Sequence, residues 1–303
     1  MTAPVDETSI LVYDIGGSHI SAAVFRADGF RLGPMVTGHH SECQTADAFA
    51  ELLHSLGISA SFEEVTAAGA ELAMPGPFDY AAGISHMRHK LPYLYGVDLR
   101  QALAGRFGWA PCRVRFINDA DAYLLGEVAA GAARGFSRAV GITLGTGVGS
   151  AFAIDGHVVT SGPGVPPGGE IWNLAYQGGI VEDLISTRAI QGGYLQRTGQ
   201  QADVVDIAAA ATSAPAAAAV FDDFGHHLGQ VLRTVTAEFA PSVIVLGGGI
   251  SRSSHLFMAA ATSELKGLNV ELRVSALREH AALVGAGAAW FESAKPATSA
   301  ECS

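Results

Sequence analysis

The chain begins with short apolar runs of the kind that form β-strands. Residues 10–14 are a β-rich run that ends in an aspartate, and residues 20–25 alternate in the pattern of a strand. A glycine turn at 16–18 separates these runs, and the Asp-Gly pair at 28–29 is a hairpin signal into a third strand. The glycine turn is therefore predicted to join two strands. Rossmann and P-loop sites place a helix after the glycine loop, so neither of those fingerprints is present.

The same pattern returns in the middle of the chain. Residues 139–144 form a strand run, 145–149 read Gly-Thr-Gly-Val-Gly, and a second strand with an Asp-Gly turn follows at 151–156. When Asp14 is aligned with Thr143, the two Asp-Gly turns agree to within two residues. A spacing of about 130 residues is much longer than a solenoid period of roughly 20–50 residues. The pattern therefore predicts two related halves.

The remaining periodicity alternates helices with strands, which predicts an α/β fold. Helices are predicted at 48–56, 99–107, 120–133, 202–211, 216–240 and 281–290. Further strands are predicted at 66–73, 114–117, 157–160 and 243–246. No linker divides the chain cleanly, so we expect a small domain of residues 1–118 plus 284–303 and a large domain of residues 119–283. The tail from Pro296 is predicted to fray.

Composition restricts the class of partner. Of the 303 residues, 49% are hydrophobic and 16% are charged, which excludes disorder over the whole chain. The formal net charge of −11 predicts no broad basic face for nucleic acid or an anionic membrane. No uncharged stretch reaches the roughly 20 residues of a membrane span, and the first residues lack the pattern of a secretory signal. We therefore expect a cytoplasmic protein.

Three glycine-rich turns follow predicted strands, at 16–18, 145–149 and 247–249. Glycine lets backbone N–H groups approach a phosphate closely, because no Cβ intervenes. Asp14, beside the first turn, is the type of residue that holds a divalent cation together with phosphate oxygens. Each turn alone is more typical of an ordinary hairpin with a polar cap. The three turns together favour a phosphate-binding site.

Several polar residues fit a substrate that carries hydroxyl groups. Asn118 and Asp119 end a predicted strand, where a carboxylate can deprotonate a hydroxyl; the competing interpretation is the N-cap of the next helix. Glu170 and Glu182 can accept hydrogen bonds from sugar hydroxyls, or they are solvated loop carboxylates. Lys90, one of three lysines, is equally compatible with an exposed loop. No H-E-x-x-H or C-x-x-C motif is present, so no zinc site is expected.

Together these motifs resemble the actin-like ATPase superfamily, and within it the ROK family of sugar kinases and repressors. Residues 14–18 and 144–149 resemble the two phosphate motifs, and 243–251 resemble the adenosine motif. The supporting stretches lie at 74–77, 117–120, 168–170, 221–229 and 281–286. The likeness covers about residues 9–292 and implies two ribonuclease-H-like domains with a cleft between them.

The resemblance implies a role for each matched position. Asp14 would lie beside Mg²⁺, and the phosphates of ATP would be held by Gly16, Gly17, Ser18, Gly145, Thr146 and Gly147. The adenosine would be received by Gly247, Gly248 and Gly249. Asn118 would bind sugar hydroxyls, and Asp119 would take the proton from the accepting hydroxyl. The other sugar contacts would be Glu170, Glu182 and Gly76.

Three positions depart from the family pattern. Trp172-Asn173 stands where the family has Gly-His, so Asn173 is expected at the substrate. Residues 177–180 contain no cysteine where the family has a cysteine-rich zinc loop, which predicts a member without zinc. Lys90 stands where many members carry asparagine before Leu-Pro. A cation at that position would suit an anionic acceptor, and we therefore include Lys90 among the expected substrate contacts.

The predicted function is transfer of the γ-phosphoryl group of ATP to a hydroxyl of a hexose or hexose derivative, with Mg²⁺ as cofactor. The resemblance also implies a homodimer, and polyphosphate stays open as an alternative donor. The first motif begins near residue 10, so we expect no N-terminal helix-turn-helix and no DNA-binding repressor. The competing interpretation is a non-catalytic sugar or nucleotide sensor derived from a ROK kinase, motivated by Lys90 and Trp172-Asn173.

Overall fold

The computed structural model describes residues 5–28, 30–61 and 66–293. Contacts divide the chain into two compact units, Met1–Ala129 with Glu279–Ser303 and Ala130–Arg278. Gly29 of the predicted hairpin turn and the predicted tail from Pro296 lie outside the described residues. The predicted division after residue 118 assigns helix Asp119–Ala130 to the second domain, whereas the contacts assign nearly all of it to the first unit.

The first unit is built on a mixed sheet. The strands of this unit are β1 (Val5–Asp6), β2 (Ser9–Ile15), β3 (His19–Arg26), β4 (Arg31–Leu32), β5 (Val36–His39), β6 (Thr66–Ala67), β7 (Ala70–Met74), β8 (Phe78–Asp79), β9 (Ile84–Ser85) and β10 (Val114–Asn118). The pairs β1-β6 and β8-β9 form two separate two-stranded sheets. The sheet has the order β10-β7-β2-β3-β4, and β5 also pairs with β3. The β2 strand is antiparallel to β3 and parallel to β7, which is parallel to β10. The polar ends of β2 and β10 therefore lie at the same edge of the sheet.

Helices cover both faces of this sheet. They are α1 (Ala46–Ala60), α2 (Leu99–Phe107), α3 (Asp119–Ala130) and, at the end of the chain, α9 (Ala281–Ser293). Side chains alternate along β7 as a strand requires: Leu72 packs in the same core as Leu53 of α1, whereas Ala73 packs with Ala282 of α9. The sheet is thus buried on both sides, which explains the nearly continuous apolar runs in its strands.

The second unit repeats this plan. Its strands are β11 (Arg138–Leu144), β12 (Val148–Ile154), β13 (His157–Val158), β14 (Ala175–Tyr176), β15 (Gly179–Ile180), β16 (Val243–Gly247) and β17 (Glu271–Val274). Its helices are α4 (Val181–Leu184), α5 (Thr187–Thr198), α6 (Val204–Ala210), α7 (Pro215–Phe239) and α8 (Met258–Glu264). The main sheet has the order β13-β12-β11-β16-β17, and α7 buries Phe221, Leu228 and Leu232 in the core that contains Ile142 and Ile244.

The connectivity of the two sheets confirms the predicted pair of related halves. Each begins with an antiparallel meander, β2-β3-β4 or β11-β12-β13, and extends through parallel strands on the other side of its first strand. Asp14 and Thr143 are each the second-last residue of that first strand. Asp14 pairs with Ser21 on the next strand, as Thr143 pairs with Gly149. Asp14 and Thr143, which the sequence pattern aligns, therefore hold equivalent positions in the two sheets.

One predicted strand is broken in the structure. Residues 66–73 form β6 and β7 with two residues between them, and one of these, Gly69, lies very close to neighbouring residues. A Cβ on Gly69 would lie 2.4 Å from the carbonyl oxygen of Arg113 and 2.5 Å from the Trp290 ring. A glycine inside an apolar run can mark a close approach of backbone, but the sequence of 66–73 does not show which residues lie against Gly69.

Within the described residues, no single helix is long and apolar enough to cross a membrane. The consecutive helices α6 and α7 are long and apolar enough only when taken together, and the chain bends by 115° at the break between them.

Glu71 of β7 is a buried acid on the α9 side of the first sheet. Burial raises the pKa of Glu71 to about 8, and the nearby Arg115 and Arg100 offset only part of that shift. In the unfolded chain the pKa is near 4.5, so the folded protein holds one proton more between about pH 4.5 and 8. The free energy of unfolding should therefore decrease as pH rises through that window.

Glu71→Gln should remove this pH dependence. We expect the variant to be similar to the parent at pH 5 and more stable than the parent at pH 8, by up to about 1.4 kcal/mol per pH unit crossed. Urea unfolding at both pH values measures the difference. Glu292→Gln, a change at an exposed glutamate of α9, is the matched control. An equal difference from the parent at pH 5 and pH 8 would contradict the assignment.

Candidate active site

The first glycine turn connects β2 to β3 and leaves backbone open to a ligand. The N–H of Gly16 donates to the carbonyl of His19 at 2.9 Å. The buried His40 donates from Nε2 to the carbonyl of Gly16 at 3.0 Å, which fixes that peptide. Gly17 and Ser18 are exposed, and a Cβ on Gly17 would meet nothing within 4 Å. The turn therefore has the open backbone that a phosphate needs.

Asp14 lies half-buried beside this turn, with Asp119 as a charged neighbour. Burial and, second, the charge of Asp119 raise the pKa of Asp14 to about 7. Neighbouring carboxylates that repel each other are stabilised by a cation, and Mg²⁺ prefers carboxylate and phosphate oxygens. In the described ranges no group of three or more His, Cys, Asp or Glu is placed to hold a metal. The residues fit Mg²⁺ if Asp14 supplies a carboxylate oxygen and phosphates and water supply the others.

Asn118 and Asp119 lie where β10 passes directly into α3. The Asn118 side-chain oxygen accepts from the N–H of Ala120 at 2.9 Å and of Asp121 at 3.2 Å, so the capping interpretation describes this oxygen. The Asn118 amide nitrogen instead donates to the hydroxyl of Tyr80 at 2.9 Å. Tyr80 donates in turn to the carbonyl of Met74 at 3.2 Å. This chain of bonds brings the 74–77 segment to Asn118.

Asp119 combines burial with a nearby cation. Its Oδ1 accepts from the N–H of Ala120 at 2.9 Å. Burial raises the pKa of Asp119, while the charge of Lys90 acts in the opposite direction. Asp121 stands two residues further on, where burial and then the charge of Asp119 raise its pKa to about 7. The end of β10 is therefore an acidic cluster next to one lysine.

The second glycine turn is held by side chains and backbone from the segments that follow it in the second unit. The N–H of Gly145 donates to the carbonyl of Gly147 at 3.0 Å, and the N–H of Thr187 donates to the carbonyl of Gly145 at 2.8 Å. Glu182 accepts from the N–H of Val148 through Oε2 at 3.0 Å. A Cβ on Gly147 would lie 2.7 Å from that oxygen, so a side chain at this position would displace the Glu182 carboxylate from the turn.

The predicted sugar-binding acids of the second unit already have partners. Besides Val148, Glu182 pairs with Arg188 at 3.5 Å. The exposed Glu170 accepts from the indole N–H of Trp172 at 2.9 Å, and Asn173 beside it is exposed. Glu182 is thus bound to the phosphate-type turn, whereas Glu170 and Asn173 stay accessible to a ligand.

The third glycine run packs against the strand that carries the second turn. Gly247 pairs with Thr143 in the parallel register of β16 and β11. Gly248 has φ of +79°, and a Cβ there would lie 2.3 Å from the carbonyl oxygen of Leu144. Only glycine fits this position. The second and third turns are therefore adjacent within the second unit, as a site for one nucleotide requires.

The two units each carry part of the predicted set. In the first unit the structure holds Asp14, Gly16, Gly17, Ser18, Gly76, Lys90, Asn118 and Asp119. In the second it holds Gly145, Thr146, Gly147, Glu170, Asn173, Glu182, Gly247, Gly248 and Gly249. Sequence reasoning missed Tyr80, His40 and Asp121. Asp121 had a signal in the acidic first turn of α3, whereas no spacing in the sequence points to Tyr80 or His40.

The cysteine-free segment 177–180 is part of a short hairpin that is bound to α7. Gln177 and Gly178 both have positive φ and form the turn between β14 and β15. The hydroxyl of Tyr176 lies 3.0 Å from Nδ1 of His227 and donates to the side-chain oxygen of Gln230 at 2.8 Å. The hairpin continues directly into α4, which carries Glu182. Tyr176 therefore supports the segment that reaches the second glycine turn.

Tyr176→Phe should lower the free energy of unfolding by about 1 kcal/mol, because the hydroxyl and its partners lose their hydrogen bonds. Thermal unfolding measured by circular dichroism detects a change of this size. Tyr194→Phe is the control, since no hydrogen bond to the Tyr194 hydroxyl is present in the described part of the chain. A loss for Tyr194→Phe as large as that for Tyr176→Phe would refute the role of this contact.

Comparison with known proteins agrees with the geometry. A model of the ROK family matches residues 10–293. A glucokinase of Thermotoga maritima is 27% identical over 80% of this chain and 82% of its own length. The structure of a ROK hexokinase from Thermus thermophilus is 26% identical and has a TM-score of 0.78 over 94% of this chain and 99% of that one.

A ROK family glucokinase from Streptomyces griseus, solved with glucose and AMPPNP, shares the fold. Its TM-score is 0.78 at 22% identity, covering 93% of this chain and 98% of that one. The family model matches most of the chain, and the two sheets of like connectivity and the three glycine turns agree with it. The chain belongs to the ROK family.

Proposed function

We propose that the chain, a sugar kinase by its family and its relatives, transfers the γ-phosphoryl group of ATP to a hydroxyl of a hexose or hexose derivative. The observation that carries the proposal is Asp119, half-buried at the end of β10, with Asp14 and the open 16–18 turn on the same sheet edge. A carboxylate beside a phosphate-type turn is what phosphoryl transfer to an alcohol needs.

Asp119 is the general base in this proposal. Its Oδ1 is oriented by the N–H of Ala120, and among the described residues no side-chain donor reaches the carboxylate. The oxygen of the accepting sugar hydroxyl bonds to the γ-phosphorus while the hydroxyl proton passes to Asp119. The bond between that phosphorus and the bridging oxygen of ADP breaks in the same step. The charge of Lys90 favours the ionised carboxylate that this step requires.

The nucleotide is assigned to the glycine turns. Backbone at 16–18 and 145–147 would bind phosphates, and 247–249 would receive the adenosine. The AMPPNP complex of the Streptomyces griseus relative supports the use of ATP. Asp14 would hold Mg²⁺, which when bound neutralises phosphate charge. The sugar is assigned to Gly76, Lys90, Asn118, Glu170, Asn173 and Glu182. Glu182 would then act partly through the turn that it supports.

The test is release of ADP with ATP and Mg²⁺ over a panel of neutral, N-acetylated and acidic sugars. We expect turnover that depends on the sugar and that stops when the metal is chelated with EDTA and returns when Mg²⁺ is restored. Binding of ATP with no turnover on any sugar would refute the kinase and favour the non-catalytic sensor. Turnover that persists in EDTA would refute the role assigned to Asp14.

A further inference from the structure

A cluster of basic residues directly follows β9 and is hydrogen-bonded to the 74–77 segment. Residues 86–90 read His-Met-Arg-His-Lys, and we call them the basic segment. His86, Arg88, His89 and Lys90 are all exposed, whereas Met87 is buried. The chain as a whole has a formal net charge of −11, so such a concentration of basic side chains is unusual for its composition.

The basic segment is anchored through its backbone and its apolar residues. The N–H of His86 donates to the carbonyl of Pro77 at 3.0 Å, next to the 74–77 segment. The N–H of Met87 donates to the hydroxyl of the buried Ser85 at 3.3 Å. Met87 and Leu91, at either side of the basic residues, are both buried in the core of the first unit. The anchoring leaves the basic side chains on the surface.

Arg88 and Lys90 carry the permanent positive charge of the basic segment. Among the described residues, no carboxylate lies within 4.0 Å of a charged atom of Arg88 or Lys90. Arg88 instead stacks on the ring of Tyr95, with its guanidinium carbon 4.1 Å from the ring centroid. The charge of Lys90 lowers the pKa of Asp119, the residue that the reacting hydroxyl must approach.

We propose that the basic segment binds an anionic group, a carboxylate or a phosphate, on the sugar that is phosphorylated, with Lys90 as the main contact. This inference rests on the proposed kinase function. An anionic sugar, unlike a neutral one, is repelled by the carboxylates of Asp14, Asp119 and Asp121. The charge of Lys90, which acts on Asp119, offsets part of that repulsion, and its ammonium hydrogens can donate to the anion.

The experiment compares kcat/KM for a neutral hexose, its 1-phosphate, its 6-phosphate and its uronic acid, with ATP and Mg²⁺. We expect an anionic acceptor to exceed the neutral hexose by about tenfold or more. The readout is the ratio of anionic to neutral kcat/KM, because Lys90 also acts on Asp119 and a change in the base affects both acceptors alike. The phosphate and carboxylate arms identify which anion is recognised.

The variants separate charge from shape. Lys90→Gln should lower the ratio about tenfold or more, and Lys90→Arg should retain most of it. Lys266→Gln, a change at an exposed lysine of the second unit, should leave the ratio unchanged. Raising the salt concentration from about 20 to 200 mM should lower the ratio of the parent and leave that of Lys90→Gln nearly constant.

Two failures are distinguishable. Turnover of the neutral hexose with no anionic preference, and a ratio that Lys90→Gln does not move, would overturn this inference and leave the kinase intact. Absence of turnover on every acceptor would overturn the proposed function itself.

Discussion

Replacing Asp119 with asparagine is expected to lower kcat by about a hundredfold to ten-thousandfold while ATP still binds. The side-chain oxygen of asparagine can accept from the N–H of Ala120, as Oδ1 does at 2.9 Å in the parent, so the start of α3 should be retained. The amide cannot take a proton from the sugar hydroxyl. The loss should therefore fall on the chemical step, measured as ADP release under saturating substrate, with ATP affinity measured by calorimetry.

Asp121→Asn is the matched control for this prediction. It removes the same charge from the same acidic cluster, two residues further along α3, and we expect a change in kcat of less than about tenfold. Equal losses in the two variants would mean that the charge of the cluster matters and that no single residue is the base. Turnover by Asp119→Asn close to that of the parent would refute the assignment of the base directly.

The architecture was largely predictable because its evidence is local and repeated. The runs at 10–14 and 139–144 became β2 and β11, and the strand–glycine–strand order after each of them is the antiparallel start of each sheet. Such strands can be recognised directly in the sequence, because they are buried on both faces and are almost wholly apolar. The repeat then implied a common fold for the two halves before any pairing was known.

Elements that depend on their neighbours were not predictable. The α5 helix contains two consecutive glycines and buries only Ile190, so its periodicity is weak. The β17 strand is mostly exposed at the edge of its sheet, where its Glu-Leu-Arg-Val sequence does not need an apolar pattern. Both are stabilised by packing and pairing with other elements, which a local pattern does not contain.

The candidate site was predictable at its strand ends and not at its supports. Asp14, Asn118 and Asp119 are marked by position, because parallel strands bring their carboxyl ends to one edge. Tyr80 and His40 reach this edge from separate loops, and only the fold shows that they bind Asn118 and Gly16. The link from Glu182 to Val148 likewise joins residues 34 apart.

Gly285→Ala is expected to destabilise the first unit by about 3 kcal/mol, although it adds one methyl group. A Cβ at this position would lie 1.7 Å from the carbonyl oxygen of Ala122 and 2.7 Å from the N of Gly126. The close approach is mutual, because a Cβ on Gly126 would lie 2.0 Å from the carbonyl oxygen of Ala281. These are backbone atoms, so α3 and α9 must separate to admit the methyl group.

Gly105→Ala provides the same chemical change where nothing opposes it. Gly105 is exposed on α2, and a Cβ there would meet nothing within 4 Å, so alanine should stabilise the helix by about 0.5–1 kcal/mol. Urea unfolding of both variants should therefore shift in opposite directions. If Gly285→Ala were as stable as the parent, the close crossing of α3 and α9 would be wrong. Because Asp119 begins α3, that crossing also sets the position of the proposed base, and Gly285→Ala should lose turnover along with stability.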